Sequence, residues 1–117
     1  MAEDWARPVV HFEIVARDPE AQAAFYRALC HWDIGEGPIM TIAAGLGGPA
    51  PGTGGHIRAG ERSGVSLYIQ VRDLPASLAL AQALGGRIVT EPFDVPGGPT
   101  LAMIEDPESV PVMLVQQ

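Results

Sequence analysis

Val10-His11-Phe12-Glu13-Ile14, running through Arg17-Asp18-Pro19 into the helix-like segment from Ala21 to Leu29, decides the fold together with a second stretch. That second stretch is Leu67-Tyr68-Ile69-Gln70-Val71, running through Arg72-Asp73-Leu74-Pro75 into the segment from Ala76 to Leu84. Laying residues 11–34 over residues 66–89, an offset of 55, matches Ile14 with Ile69, Arg17 with Arg72 and Asp18 with Asp73. It also matches Ala21 with Ala76, Ala24 with Ala79, Ala28 with Ala83 and Leu29 with Leu84. The order of structural signals repeats as well, which reads as an internal duplication.

Each copy opens on strict alternation of apolar and polar residues, the period of a strand buried on one face. Asp18-Pro19 and Asp73-Leu74-Pro75 then supply a carboxylate at the N-cap and a proline in the first turn, a strong helix start. In the first helix Ala21, Ala24, Phe25, Ala28 and Leu29 recur at helical spacing, and in the second Ala76, Ala79, Leu80, Ala83 and Leu84 do the same. Each set is expected to be the stripe that faces the core. Short strands are predicted over residues 32–35, 39–43 and 55–58 in the first copy, and over 87–91, 100–105 and 110–115 in the second. Between them, residues 44–55 are rich in glycine and proline and read as a flexible loop. The unit is βαβββ, written twice, which makes the fold class α+β. A single domain over residues 1–117 is expected, with modules at about 8–60 and 63–117.

Composition narrows the chemistry. The chain has 117 residues, 47% of them hydrophobic and 18% charged, a balance that folds. All seven cations are arginine; the absence of lysine excludes a Schiff base or a Walker-type phosphate loop, and the absence of asparagine excludes N-glycosylation. A net charge of -7 repels nucleic acid and anionic membranes, and suits a neutral or cationic small ligand. Cys30, the single cysteine, cannot form an internal disulfide and reads as a small buried hydrophobe. Met1-Ala2-Glu3-Asp4-Trp5 lacks the basic start and apolar run of a secretory signal, and no apolar run reaches bilayer length, so a cytoplasmic protein is expected.

These residues resemble the vicinal oxygen chelate superfamily, which includes glyoxalase I, bleomycin-resistance proteins, fosfomycin-resistance enzymes and extradiol dioxygenases. The resemblance rests on Val9 to Ile14 before Asp18-Pro19, on Phe25-Tyr26 with Leu29, on Ala83-Leu84-Gly85-Gly86 and on Glu105-Asp106-Pro107-Glu108. It is similar above all to short glyoxalase-like bacterial proteins. The resemblance implies a curved, mixed eight-stranded sheet, a small-molecule cleft on its concave face and a homodimer that completes the clefts. It also implies a divalent metal held from the first and last strands of each module. His11 occupies the first such position and Ser66 the matching one in the second module; Met113 stands where a glutamate is usual, and either His56 or Arg58 fills the remaining place.

Alternation sends Phe12, Ile14, Leu67, Ile69 and Val71 toward the helices, leaving His11, Glu13, Ser66, Tyr68 and Gln70 on the concave face. Serine and thioether donors break the usual metal set, although His11 and His56, with Glu13, still offer an irregular one. His11 and Glu13 are the candidate catalytic pair, acting as acid and base. Trp32, His56, Arg58, Ser66, Tyr68, Gln70 and Met113 are the candidate ligand-binding residues. Each also has a plain structural role open to it: His11 as a core histidine satisfied by backbone, Glu13, His56 and Arg58 as solvated groups, Trp32 and Met113 as packing. Three functions compete: a protein that binds a small organic molecule without the standard metal site, a metal-dependent lyase, isomerase or dioxygenase, and a metal-free enzyme that uses His11 and Glu13 as acid and base.

Overall fold

In the computed structural model, which describes residues 4–45, 48 and 50–117, the two aspartates begin the helices as their sequence context requires. Asp18 accepts the Ala21 N–H at 3.1 Å ahead of α1 (Pro19–Cys30), and Asp73 accepts the Ala76 N–H at 3.0 Å ahead of α2 (Leu74–Ala83). A cap of this kind stabilises a helix by about 1 kcal/mol. The first helix ends at His31, whose N–H still reaches the Arg27 carbonyl and whose left-handed backbone (φ 58°) then turns the chain away.

The strands are β1 (Val9–Ala16), β2 (Ile39–Ile42), β3 (Gly55–Ala59), β4 (Gly64–Gln70), β5 (Arg87–Asp94), β6 (Thr100–Glu105) and β7 (Pro111–Gln116). Two compact units divide the chain, one of residues 11–66 and one of residues 1–10 with 67–117. In the first, β3 lies between β1, its parallel partner, and β2, its antiparallel one. In the second, β7 is parallel to β4 and antiparallel to β6, which is antiparallel to β5. Each module thus returns from its helix to set its last strand parallel to its first, and the α+β architecture is the duplicated βαβββ unit.

The strand expected at residues 32–35 is reduced to one antiparallel bridge between Ile34 and Ile42. Gly35-Glu36-Gly37-Pro38 follows it directly; Gly37 turns at φ 103° and Pro38 has no N–H, so the ladder stops where its counterpart β5 continues. Seven strands are therefore present among the described residues. The loop predicted over residues 44–55 lies partly outside the described residues.

Strand alternation is as expected. Phe12 and Ile14 pack with Ala23 and Tyr26 of α1 and with Met40, Ile42 and Ile57. Ile69 and Val71 pack with Leu74, Leu78, Ala102 and Leu114 on the α2 side, whereas Leu67 is exposed. Burying each such side chain contributes roughly 1.5–3 kcal/mol. Gly55 belongs to this packing, because a Cβ there would lie 2.9 Å from the Phe12 ring and 2.5 Å from its carbonyl oxygen.

The helix stripes differ from expectation. Ala23 is the buried residue of α1, and Leu74 and Leu78 are those of α2. Phe25 (56% exposed), Leu29 (65%), Leu80 (58%) and Leu84 (69%) face outward with the alanines between them. Alanine-rich helices satisfy the 3.6-residue period on more than one face, and in α1 the large Phe25 and Leu29 lie on the outer one. Cys30, the last residue of α1, is exposed rather than buried.

Candidate functional site

On the side of β1 and β3 turned away from α1, parallel register sets Glu13 opposite His56 and Val15 opposite Arg58. His11 and Glu13 share that face of β1, and His56 and Arg58 share it on β3. The four polar side chains form one chain of hydrogen bonds. His11 Nε2 lies 2.8 Å from His56 Nδ1, and His56 Nε2 lies 2.9 Å from Glu13 Oε2. Arg58 Nε donates to the same carboxylate oxygen at 2.6 Å, with Nη2 3.4 Å from the other. The imidazole rings sit with centroids 5.0 Å apart.

Glu13 is only 4% exposed and His56 9%. A carboxylate that deep is stable only if paired, and Glu13 has both a cation and a ring N–H against it. Burial pushes its carboxyl pKa up, but the hydrogen bonds from His56 and Arg58 and the guanidinium charge outweigh that and hold it at about 2. His11 is half-buried; desolvation and the neighbouring His56 pull its pKa down, against a smaller upward pull from Glu13.

Of the residues singled out in the sequence, His11, Glu13, His56 and Arg58 are thus brought together. The expected acid–base pair is rearranged: His56 is interposed, bonded to both His11 and Glu13. Tyr68 and Met113 are register partners across β4 and β7 and are buried with Leu101 and Val115 in a cluster on the side opposite α2. Ser66 is buried in β4, and Gln70 is half-buried, its N–H bonded to the Pro8 carbonyl. Trp32 stands elsewhere, stacked on Tyr26 at 4.9 Å and against Phe12 on the α1 side. There it lines a cavity of about 500 Å³ with Cys30, His31 and Thr53.

The network as it stands is a poor cradle for a divalent metal. A cation held on His11, His56 and Glu13 would compete with the hydrogen bonds these groups make to one another. Among the described residues no three of His, Cys, Asp and Glu are arranged to hold one. What the arrangement does offer is a row of hydrogen-bonded polar side chains anchored on a carboxylate held in its ionised form.

A helix-bridged parallel pair of first and last strands, written twice, with polar side chains on the face the first helix leaves open, defines a vicinal oxygen chelate fold. Residues 10–115 match the glyoxalase-like domain family, and the chain belongs to it. Putative glyoxylase CFP32 of Mycobacterium tuberculosis (strain CDC 1551 / Oshkosh) is 30% identical over 115 residues, covering 82% of this chain. The match covers 39% of that relative, so the chain spans about two fifths of its length. Among solved structures, hypothetical protein BH1468 from Bacillus halodurans C-125 superposes with a TM-score of 0.65 at 14% identity, covering 97% of this chain and 96% of that one. Methylmalonyl-CoA epimerase from Mycobacterium tuberculosis gives 0.64 at 18% identity, covering 92% and 86%. A methylmalonyl-CoA epimerase in complex with methylmalonyl-CoA and NH4+ gives 0.63 at 18%, covering 95% and 94%. At these identities the structural likeness concerns the fold.

Proposed function

We propose that this glyoxalase-like protein binds a small organic molecule on the face of β1 and β3 that carries His11, Glu13, His56 and Arg58, without the standard metal set. The observation that carries the reading is the buried Glu13, held ionised by His56 and Arg58 on a sheet face away from the helix. A buried charge network rarely adds net stability over apolar packing, so its presence is better explained by ligand recognition than by folding. The net charge of -7 favours a neutral or cationic ligand. A methylmalonyl-CoA epimerase of the same fold holds methylmalonyl-CoA, which makes CoA esters the anionic comparison for that charge argument. Ser66 is a further candidate contact of the same unit, and Tyr68, Gln70 and Met113 are candidate contacts of the other unit taken by itself.

The same reading makes the protein a cytoplasmic homodimer. Large apolar side chains left outside the core, Phe25, Leu29, Leu80 and Leu84 among them, support self-association, and light scattering tests it. No helix among the described residues is long and apolar enough to cross a membrane.

Thermal unfolding against a panel of amines, neutral aromatics and acyl-CoA esters tests binding. A true ligand at a hundred times its Kd adds about 2.7 kcal/mol. The metal-dependent reading, a lyase, isomerase or dioxygenase, is favoured by one observation, that two imidazoles and a carboxylate meet at one place. Stoichiometric divalent metal in protein purified without chelator, lost on His11→Ala, would put that reading first. Metal-free protein stabilised by an organic ligand supports ours.

A further inference from the structure

In the unit of residues 1–10 with 67–117, two of the chain's seven arginines converge on one carboxylate. Arg7 grips Asp4 with both ends of its fork, Nη1 on Oδ1 at 2.6 Å and Nη2 on Oδ2 at 3.0 Å, and Arg72 Nη1 donates to Oδ1 at 3.3 Å. The bond from Arg7 above all, then that from the Trp5 N–H, holds the Asp4 carboxyl well below the usual carboxylate range. Arg7 is fixed beside β4 because the Gln70 N–H donates to the Pro8 carbonyl at 3.0 Å. Both guanidiniums also line a cavity of about 460 Å³, whose other walls are Asp73, Ala76, Ser77 and Leu80. That volume is in the range of small-molecule sites. Asp73 is committed to the helix, since its Oδ1 accepts the Ala76 N–H at 3.0 Å. Ala76 and Leu80 share one face of α2, and Leu80 lies two turns, about 10 Å, beyond Asp73. The cavity therefore joins a cationic pair to a strip of apolar surface.

We propose that this cavity binds an organic acid, a carboxylate carrying an apolar tail, and that Asp4 is its internal competitor. The incoming carboxylate takes the place of Asp4 between Arg7 and Arg72, where a guanidinium fork matches two oxygens in one plane. Its tail lies along Ala76 toward Leu80, and Leu80, 58% exposed, gains an apolar partner. The step exchanges one set of hydrogen bonds for another and breaks no covalent bond. The net charge of -7 opposes an anion only at long range, because the Debye length at physiological ionic strength is about 8 Å. Within that distance the two guanidiniums decide.

Sodium octanoate titrated into ligand-free, nitrogen-15-labelled protein at neutral pH and physiological ionic strength, read by backbone amide shifts, tests the site. Octanoate is expected to shift the amides of Arg72, Ala76, Ser77 and Leu80, whereas acetate, which lacks the chain, binds far more weakly, by about fourfold for each methylene that the cavity buries. Asp4→Ala is expected to tighten octanoate about two- to fivefold, the worth of an exposed ion pair that no longer has to open, and Arg72→Gln to weaken it by a similar factor. Arg72→Gln leaves the pair of Arg7 with Asp4 in place, so it reads the site even where Asp4→Ala loosens the arm. The same shifts with octylamine overturn the proposal, because the tail alone would then be binding. Inorganic phosphate matching octanoate overturns it too, by making this a plain oxyanion site. Octanoate that leaves these amides unmoved, or that binds both variants as it binds the unmodified protein, ends the assignment.

Discussion

Glu13 and His56 face each other across the parallel strands β1 and β3, with carboxylate Oε2 2.9 Å from ring Nε2. The contact makes Glu13 a structural group as well as a candidate functional one. Replacing it by leucine, close in volume, removes the acceptor for His56 and the counter-ion for Arg58 at once. Unsatisfied polar groups of this kind cost about 1–3 kcal/mol each when buried. Arg58 is half-exposed and recovers water, so the expected loss for Glu13→Leu is about 1–3 kcal/mol in all, read by urea unfolding. No loss would mean that the network contributes nothing to holding β1 on β3.

Acid should destabilise the protein in two stages. The folded pKa of His11 lies below its ordinary value of 6.5, so the unfolded chain takes up that proton first and stability falls as pH drops below 6.5. The Glu13 contribution is complete above its ordinary value of 4.5 and is lost as pH falls toward about 2. Each proton taken up preferentially by the unfolded state steepens the loss by up to about 1.4 kcal/mol per pH unit. Unfolding free energy measured from pH 8 downward checks this, and His11→Gln should erase the first stage and keep the second.

Gly55 and Phe12 are also register partners on β3 and β1, on the helix side of the strands. Gly55→Ala would set its methyl group 2.9 Å from the ring, and Phe12 would have to leave its place beside Trp32. A destabilisation of roughly 1–3 kcal/mol is expected, the usual scale of core overpacking. In Phe12→Leu the narrower side chain should absorb part of the strain, giving a double mutant less unstable than the sum of the two singles.

Strand alternation made one half of this fold legible: with period two, apolar Phe12, Ile14, Ile69 and Val71 leave no choice of face, and the polar faces follow. The carboxylate-proline starts at Asp18 and Asp73 were equally plain, because capping is a local interaction. The bond from His56 to Glu13 was not, since it depends on the register of two strands 43 residues apart and no local pattern encodes register. Nor was the length of the strand at residue 34, where a turn after Gly35 decides against the repeat. The helix stripes failed for a different reason. Leu74, Leu78 and Ala81 satisfy helical spacing as well as Ala76, Leu80 and Ala83 do, so periodicity offered two faces and did not choose between them.

That ambiguity is settled by comparing two leucines of α2 two residues apart. Leu78 is buried against Val71, Ala102 and Leu114, and truncating it leaves a cavity between α2 and the strands β6 and β7. Leu78→Ala is expected to cost about 2–5 kcal/mol. Leu80 points outward, so Leu80→Ala should change stability by no more than about 0.5 kcal/mol when measured at a dilution where light scattering reads a monomer. Equal losses at the two positions would return the outer stripe to the core and overturn the placement of α2. A large loss at Leu80 that appears only at high protein concentration would instead locate the self-association on this helix, because the leucine would then be buried by a second copy and not by its own sheet.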